Sequence, residues 1–261
     1  MIVEFSVNDE DNNFYLASYE NLVRRIMEQD NDPAVMLLYM VRKNGSSAQK
    51  THEQVGKWYQ LPQISYGDAV LYQIENGDIT WNDISNDNIH PNDRGHQICG
   101  ELIWKYLNSI YTEMNPNAEY SNSTELSAKK MMTSDFYLNG TILNNQILKA
   151  DYMRQFVNQS VTWSFFGDGW STDNGGEIEF RIRAKSLGIF YYKSIEEAYG
   201  EAQVYIDSEL VATLDADFTD GYDNKGYAEQ VFLADVCEEH LMKIVVPEGY
   251  AFDVIGLLVS K

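Results

Sequence analysis

Residues 34–41, Ala34-Val35-Met36-Leu37-Leu38-Tyr39-Met40-Val41, form a near-continuous apolar run. A run of this length with no polar alternation is what a strand covered on both faces requires. Its surroundings agree. Upstream, Ser18–Gln29 carries Tyr19, Leu22, Val23, Ile26 and Met27 at helical spacing, and Pro33 stops that helix. Further upstream, Ile2–Val7 reads as a short strand. Downstream come a weaker helix over Gln49–Tyr59, a short strand over Pro62–Tyr66 and a short helix over Tyr66–Ile74. Gly95–Met114 is strongly amphipathic, with Ile98, Leu102, Ile103, Tyr106, Leu107 and Ile110 on its apolar side. Strand–helix–strand repetition predicts an α/β unit, a parallel sheet with helices on both faces. Three strands make a thin sheet with an open edge, which is a liability. The sequence also begins inside a strand, so the expectation is that the first strands of the sheet are missing from this chain.

Residues 115–130 are polar and unperiodic, and the expected division is 1–118, a linker at 119–130, and 131–261. The last portion changes character. Short β-rich runs recur at Val161–Phe166, Glu177–Ala184, Gly188–Tyr192, Ala202–Ile206, Leu210–Leu214, Ala228–Leu233, Leu241–Val246 and Phe252–Val259, separated by Gly, Asn and Asp clusters. That pattern predicts an all-β antiparallel sandwich of jelly-roll type. No internal repeat or low-complexity tract stands out.

Of 261 residues, 40 are acidic and 19 basic, for a formal charge of −21. A field of that sign repels phosphate backbones and anionic lipid, so nucleic acid and membrane are not expected partners. Neutral substrates or soluble sugars fit better. Cys99 and Cys237 are too few and too far apart for a disulfide framework or a metal cluster. No apolar stretch approaches the length that spans a bilayer, and no signal peptide is recognisable.

Two segments carry chemistry. Ser6-Val7-Asn8-Asp9 follows the first strand, where ligands bind in open parallel sheets. An Asn there can aim its amide at a developing oxyanion, or Asn8 or Asp9 can simply cap a turn. Asp87-Asn88-Ile89-His90-Pro91-Asn92-Asp93-Arg94-Gly95-His96 leads into the long helix. Asp and His three apart on an irregular loop can fold so that the carboxylate accepts from the imidazole, fixing its tautomer and supporting imidazolium. Pro91 stiffens the loop, and Asn92 or Asp93 can cap the helix. A plain surface loop with an ordinary histidine is the alternative. His96 reads as structural, and His52 and His240 as isolated. No HExxH, CxxC or P-loop appears, so neither a metal nor a nucleotide cofactor is expected. Trp163, Trp170, Tyr191, Tyr192 and Tyr222 are candidates for stacking on sugar rings, or equally for core packing.

The Asp87–Pro91 block before the last helix resembles the D-x-x-H-P signature of the SGNH (GDSL-type) hydrolases. The resemblance covers residues 1 to about 113 and implies a three-layer, flavodoxin-like sheet with His90 as catalytic base. It further implies that Asp87 orients that base and that Asn8 supplies an oxyanion-hole side chain. Residues 131–261 resemble the jelly-roll modules that accompany carbohydrate esterases of that family. Ser6 stands where the family often has Gly. The larger departure is an absence: no Gly-Asp-Ser nucleophile block precedes Asn8, and the family's second oxyanion donor, a Gly, is missing too. Gly67-Asp68 continues with Ala69 and Gly167-Asp168 with Gly169, there is no G-x-S-x-G, and Ser6 and Ser85 lack any nucleophile motif.

The resemblance implies a serine esterase that deacetylates polysaccharide, exported to the cell surface or medium, here without its nucleophile. Its partners would be an acetylated polysaccharide or oligosaccharide, and the missing N-terminal segment or a second copy joined through the open sheet edge. The alternative is a non-catalytic carbohydrate-binding or interaction protein built on a decayed esterase half.

Overall fold

The computed structural model describes residues 1–114, 128–159, 168–221 and 223–261. Two compact units divide between Leu138 and Asn139.

The first unit is α/β. Strands β1 (Ile2–Val3), β2 (Met36–Tyr39) and β3 (Gln63–Ser65) form a parallel sheet in that order. Every residue of β2 is buried, because consecutive side chains point to opposite faces and both faces are covered. Leu37 and Tyr39 join Val3 in one core with Tyr19, Val23 and Met27 of helix α1 (Asn13–Met27) and Val55 and Tyr59 of α2 (Gln49–Tyr59). Met36 and Leu38 join Ile64 in the opposite core. That core also takes Tyr66 and Val70 of α3 (Tyr66–Glu75), Trp81 and Ile84 of the short α4 (Trp81–Ile84), and Cys99 of α5 (Asp93–Glu113).

The elements differ from the sequence expectation in instructive ways. α1 starts five residues before Ser18, where Asn12 Oδ1 accepts the Tyr15 N–H at 3.0 Å. It ends at Met27, well before Pro33, as its apolar stripe gives way to the polar residues 28–32. β1 stops at Val3 instead of Val7, because a side chain takes over the pairing: Ser6 Oγ accepts the Met40 N–H at 2.7 Å. On α5, Ile98, Leu102, Ile103 and Tyr106 pack on the core, but Leu107 and Ile110 are exposed.

The expected linker at 119–130 falls mostly outside the described residues. Beyond it, the chain returns to the first unit instead of starting the second at 131. Buried Glu20 accepts the backbone N–H groups of Met132 (2.8 Å) and Thr133 (2.7 Å) and the Tyr59 hydroxyl (2.8 Å). Asn21 Nδ2 donates to the Ser134 carbonyl at 2.8 Å. These bonds fasten residues 132–134 to α1 and move the division to Leu138.

The second unit is all-β and antiparallel. Two long strands dominate it, β8 (Gly176–Lys193) and β11 (Lys225–Val246). Each had read as two strands, because Lys185-Ser186 and 234–237 break the alternation. The pairing instead continues through a register shift between Leu233 and Glu238. The second half of β11 pairs with β9 (Glu201–Ile206), which pairs with β10 (Glu209–Asp215). The first half of β8 pairs with β5 (Tyr152–Arg154), and its second half with β12 (Phe252–Ser260). β12 pairs in turn with β4 (Thr141–Leu143) and β7 (Gly169–Thr172), and β7 with β6 (Val157–Gln159). Ile178, Phe180, Val204 and Ile244 from one half share a single core with Leu187, Ile189, Val254 and Leu257 from the other, the arrangement of a sandwich. Trp170, Tyr191 and Tyr192 are buried, so of the candidate sugar-stacking residues these three are core. Trp163, Tyr222 and the expected strand Val161–Phe166 lie outside the described residues.

Candidate active site

The 87–90 loop is built by its own polar groups. Asp87 Oδ1 accepts the backbone N–H of Ile89 and of His90, each at 2.7 Å, and Oδ2 meets His90 Nδ1 at 2.8 Å. One carboxylate thus fixes both the turn and the ring. Those two backbone donors, then the imidazole, hold the Asp87 carboxyl down to about 2. Buried Ser85 supports the loop from inside, its Oγ lying 2.9 Å from the Asp87 carbonyl and 2.7 Å from that of His90. Trp81 Nε1 donates to the same Asp87 carbonyl at 2.6 Å. Ser85 is therefore a scaffold residue with its hydroxyl spent.

The loop then enters α5. Asn92 Oδ1 caps the helix by accepting the Gly95 N–H at 3.1 Å. Gly95 must lack a β-carbon, which would collide with the Ile84 carbonyl and sit 2.8 Å from Pro91 Cβ. His96 is exposed on α5. The His90 side chain is 79% exposed, with Nε2 free of any partner among the described residues.

Asn8 lies in the turn that follows β1. Phe5 O accepts the N–H of Asn8 (3.0 Å) and of Asp9 (2.9 Å). Ser6 O accepts from Ala48 N at 2.7 Å, and the Arg42 guanidinium donates to the Val7 carbonyl. Ser6 itself is fully buried, its Oγ bonded to Glu4 and Met40, which leaves no room for a nucleophilic role. The β2–α2 loop links the two segments: Arg42 holds Val7, and the next residue, Lys43, donates its N–H to Asn88 O at 2.9 Å. Both segments thus border the loop leaving the C-terminal end of β2, where a cavity of about 310 Å³ is lined by Arg42, Lys43, Asn44, Asn88 and Ile89.

Two histidines read as isolated have partners. His52 Nε2 lies 3.0 Å from Asp9 Oδ2, with the ring fully buried. His240 Nδ1 lies 2.7 Å from Asp207 Oδ2, at the turn between β9 and β10. Neither pair is visible as a motif, because the partners are 43 and 33 residues apart.

No family model matches this chain, and no curated protein sequence matches it. Among solved structures it is similar to a two-domain esterase (CEX) active on acetylated mannans, at 23% identity and a TM-score of 0.87. The match covers all of this chain and 72% of that one. The same esterase co-crystallized with mannopentaose matches at 23% identity over the same shares, with a TM-score of 0.84. The likeness is one of fold: this chain shares the fold of that two-domain esterase.

Proposed function

We propose that this chain carries the acid–base and oxyanion side of an SGNH-type serine esterase that removes acetyl groups from polysaccharide. The observation that carries the reading is the 2.8 Å contact between Asp87 and His90 Nδ1, which leaves Nε2 of an exposed imidazole free. In the reaction, a serine hydroxyl attacks the acetyl carbonyl. His90 Nε2 takes the serine proton and delivers it to the departing sugar oxygen, with Asp87 supporting the imidazolium. The Asn8 amide donates to the oxyanion of the tetrahedral intermediate. Water then repeats the sequence on the acetyl-serine and releases acetate. The serine and a second oxyanion donor come from polypeptide other than these 261 residues. Residues 139–261 act as a jelly-roll module, and the acetylated polysaccharide places the protein outside the cell or on its surface. The fold neighbour's activity on acetylated mannans supports this substrate class.

The test is hydrolysis of p-nitrophenyl acetate by this chain alone and joined to an upstream strand bearing a Gly-Asp-Ser block. The joined polypeptide is expected to be active, and His90→Ala to lower its kcat by about 10³-fold. Full rate in that variant removes the base assignment. The missing nucleophile block favours a second reading, a non-catalytic carbohydrate-binding protein; retention on mannan with no hydrolysis by the joined polypeptide selects it.

A further inference from the structure

Asn8 sits in a turn held on every side except its own. Ser6 is tied to β2, Ser6 O to Ala48, Val7 O to Arg42 and Phe5 O to two N–H groups, while the Asn8 side chain is exposed and has no hydrogen-bond partner among the described residues. The remaining anchor is the Asp9 carboxylate, which lies 3.0 Å from Nε2 of the fully buried His52. His52 is itself fixed by a parallel stack on Tyr19, with ring centroids 3.6 Å apart at 9°. Its Nδ1 and the Tyr19 hydroxyl are both buried without hydrogen-bond partners among the described residues. Burying an unsatisfied polar atom is unfavourable by about 1–3 kcal/mol, so a ring kept there for packing alone would be better replaced by an apolar one. A polar ring persists where its other nitrogen has work, and that nitrogen faces Asp9.

We propose that His52 is a positioning residue, donating from Nε2 to Asp9 and so holding the neighbouring Asn8 amide where it stabilises the oxyanion. The proposal rests on the esterase reading for its consequence but not for its geometry. The buried end of the arrangement is rigid and the exposed end is one amide, which is how a preorganised donor is built. Asp9 and Tyr19 face His52, and Tyr39 and Glu4 lie close enough to act on the Tyr19 hydroxyl; Thr51, one residue earlier on α2, donates to Asp11 instead.

The experiment compares the full chain with His52→Phe, which keeps the stack and loses the donor, and His52→Gln, whose amide nitrogen restores a donor. In ¹⁵N spectra of the wild type, the His52 proton is expected on Nε2. His52→Phe is expected to shift and broaden the backbone and side-chain amide signals of Asn8, with second-unit signals unmoved, and His52→Gln to return them toward wild type. In the Gly-Asp-Ser-joined polypeptide, His52→Phe is expected to lower kcat about 10²-fold with KM within about twofold. Unmoved Asn8 signals in a folded His52→Phe protein overturn the proposal, as does an unchanged kcat. A joined wild type with no activity defeats the esterase reading alone, and the amide signals still decide the positioning. Should His52→Phe fail to fold, Asp9→Ala, which removes the acceptor and leaves the ring in place, is read the same way.

Discussion

The first unit contains two Asp–His pairs of nearly equal length and opposite character. Asp87–His90 spans three residues, lies in the open and is closed by one turn. Asp9–His52 spans 43 residues, has a fully buried ring and joins the turn after β1 to α2. The exposed pair is cheap to break and its ring is free to meet another molecule. The buried pair cannot move without disturbing the core around Tyr19 and Val23. On the proposed function the contrast separates two uses of one interaction: a base must reach its substrate, whereas an anchor must be out of reach of water.

The sharpest way to break this contrast is at Asp87. Asp87→Asn offers an amide to Nδ1 in place of a carboxylate and favours the wrong imidazole tautomer. In the joined polypeptide, kcat is expected to fall by about 10²–10⁴-fold. Circular dichroism and the urea midpoint of the first unit should barely move, since the pair lies on the surface. A large loss of folding with activity spared would show that the loop is merely structural. At the buried pair the expectation reverses. His52→Ala removes a stacked ring and strands the Asp9 carboxylate, destabilising the first unit by about 3 kcal/mol in urea unfolding. A loss below about 1 kcal/mol would mean that the pair carries little and the two sites are alike.

The same contrast explains what the sequence disclosed. Asp87, His90 and Asn92 act on neighbours within three residues, so their spacing is their geometry. The apolar run around Leu37 and Leu38 likewise reports burial on both faces without any knowledge of the partners. His52 had no such local sign. Its helix α2 was legible to the residue, but nothing in Gln49–Tyr59 tells which turn its histidine will meet. Glu20 was silent for the same reason, since its partners at 132 and 133 lie across the expected domain border. The early end of β1 was hidden differently: Ser6 reads as one more strand residue, and only the Met40 N–H reveals that its side chain replaces the ladder. Strands β8 and β11 were cut in two because a register shift breaks the alternation without breaking the pairing.

The smallest expected effect concerns acid, and it refines what holds the exposed pair. The Asp87 carboxyl sits at about 2 against an ordinary 3.8. The unfolded chain therefore takes up this proton at higher pH than the folded one, and between those values stability rises with pH. The contribution is present above the ordinary carboxyl value and is lost as pH falls through about 2. A ¹³C titration of the Asp87 carboxyl should show a midpoint near 2, with the His90 ring contact intact at pH 3.5. The largest cause is the Ile89 N–H, followed by the backbone N–H of residue 90, and both survive in His90→Ala. Removing the imidazole should thus raise the midpoint only part of the way toward 3.8. A full return would mean that the ring organises the turn; a partial one means that the turn exists first and the ring docks onto it.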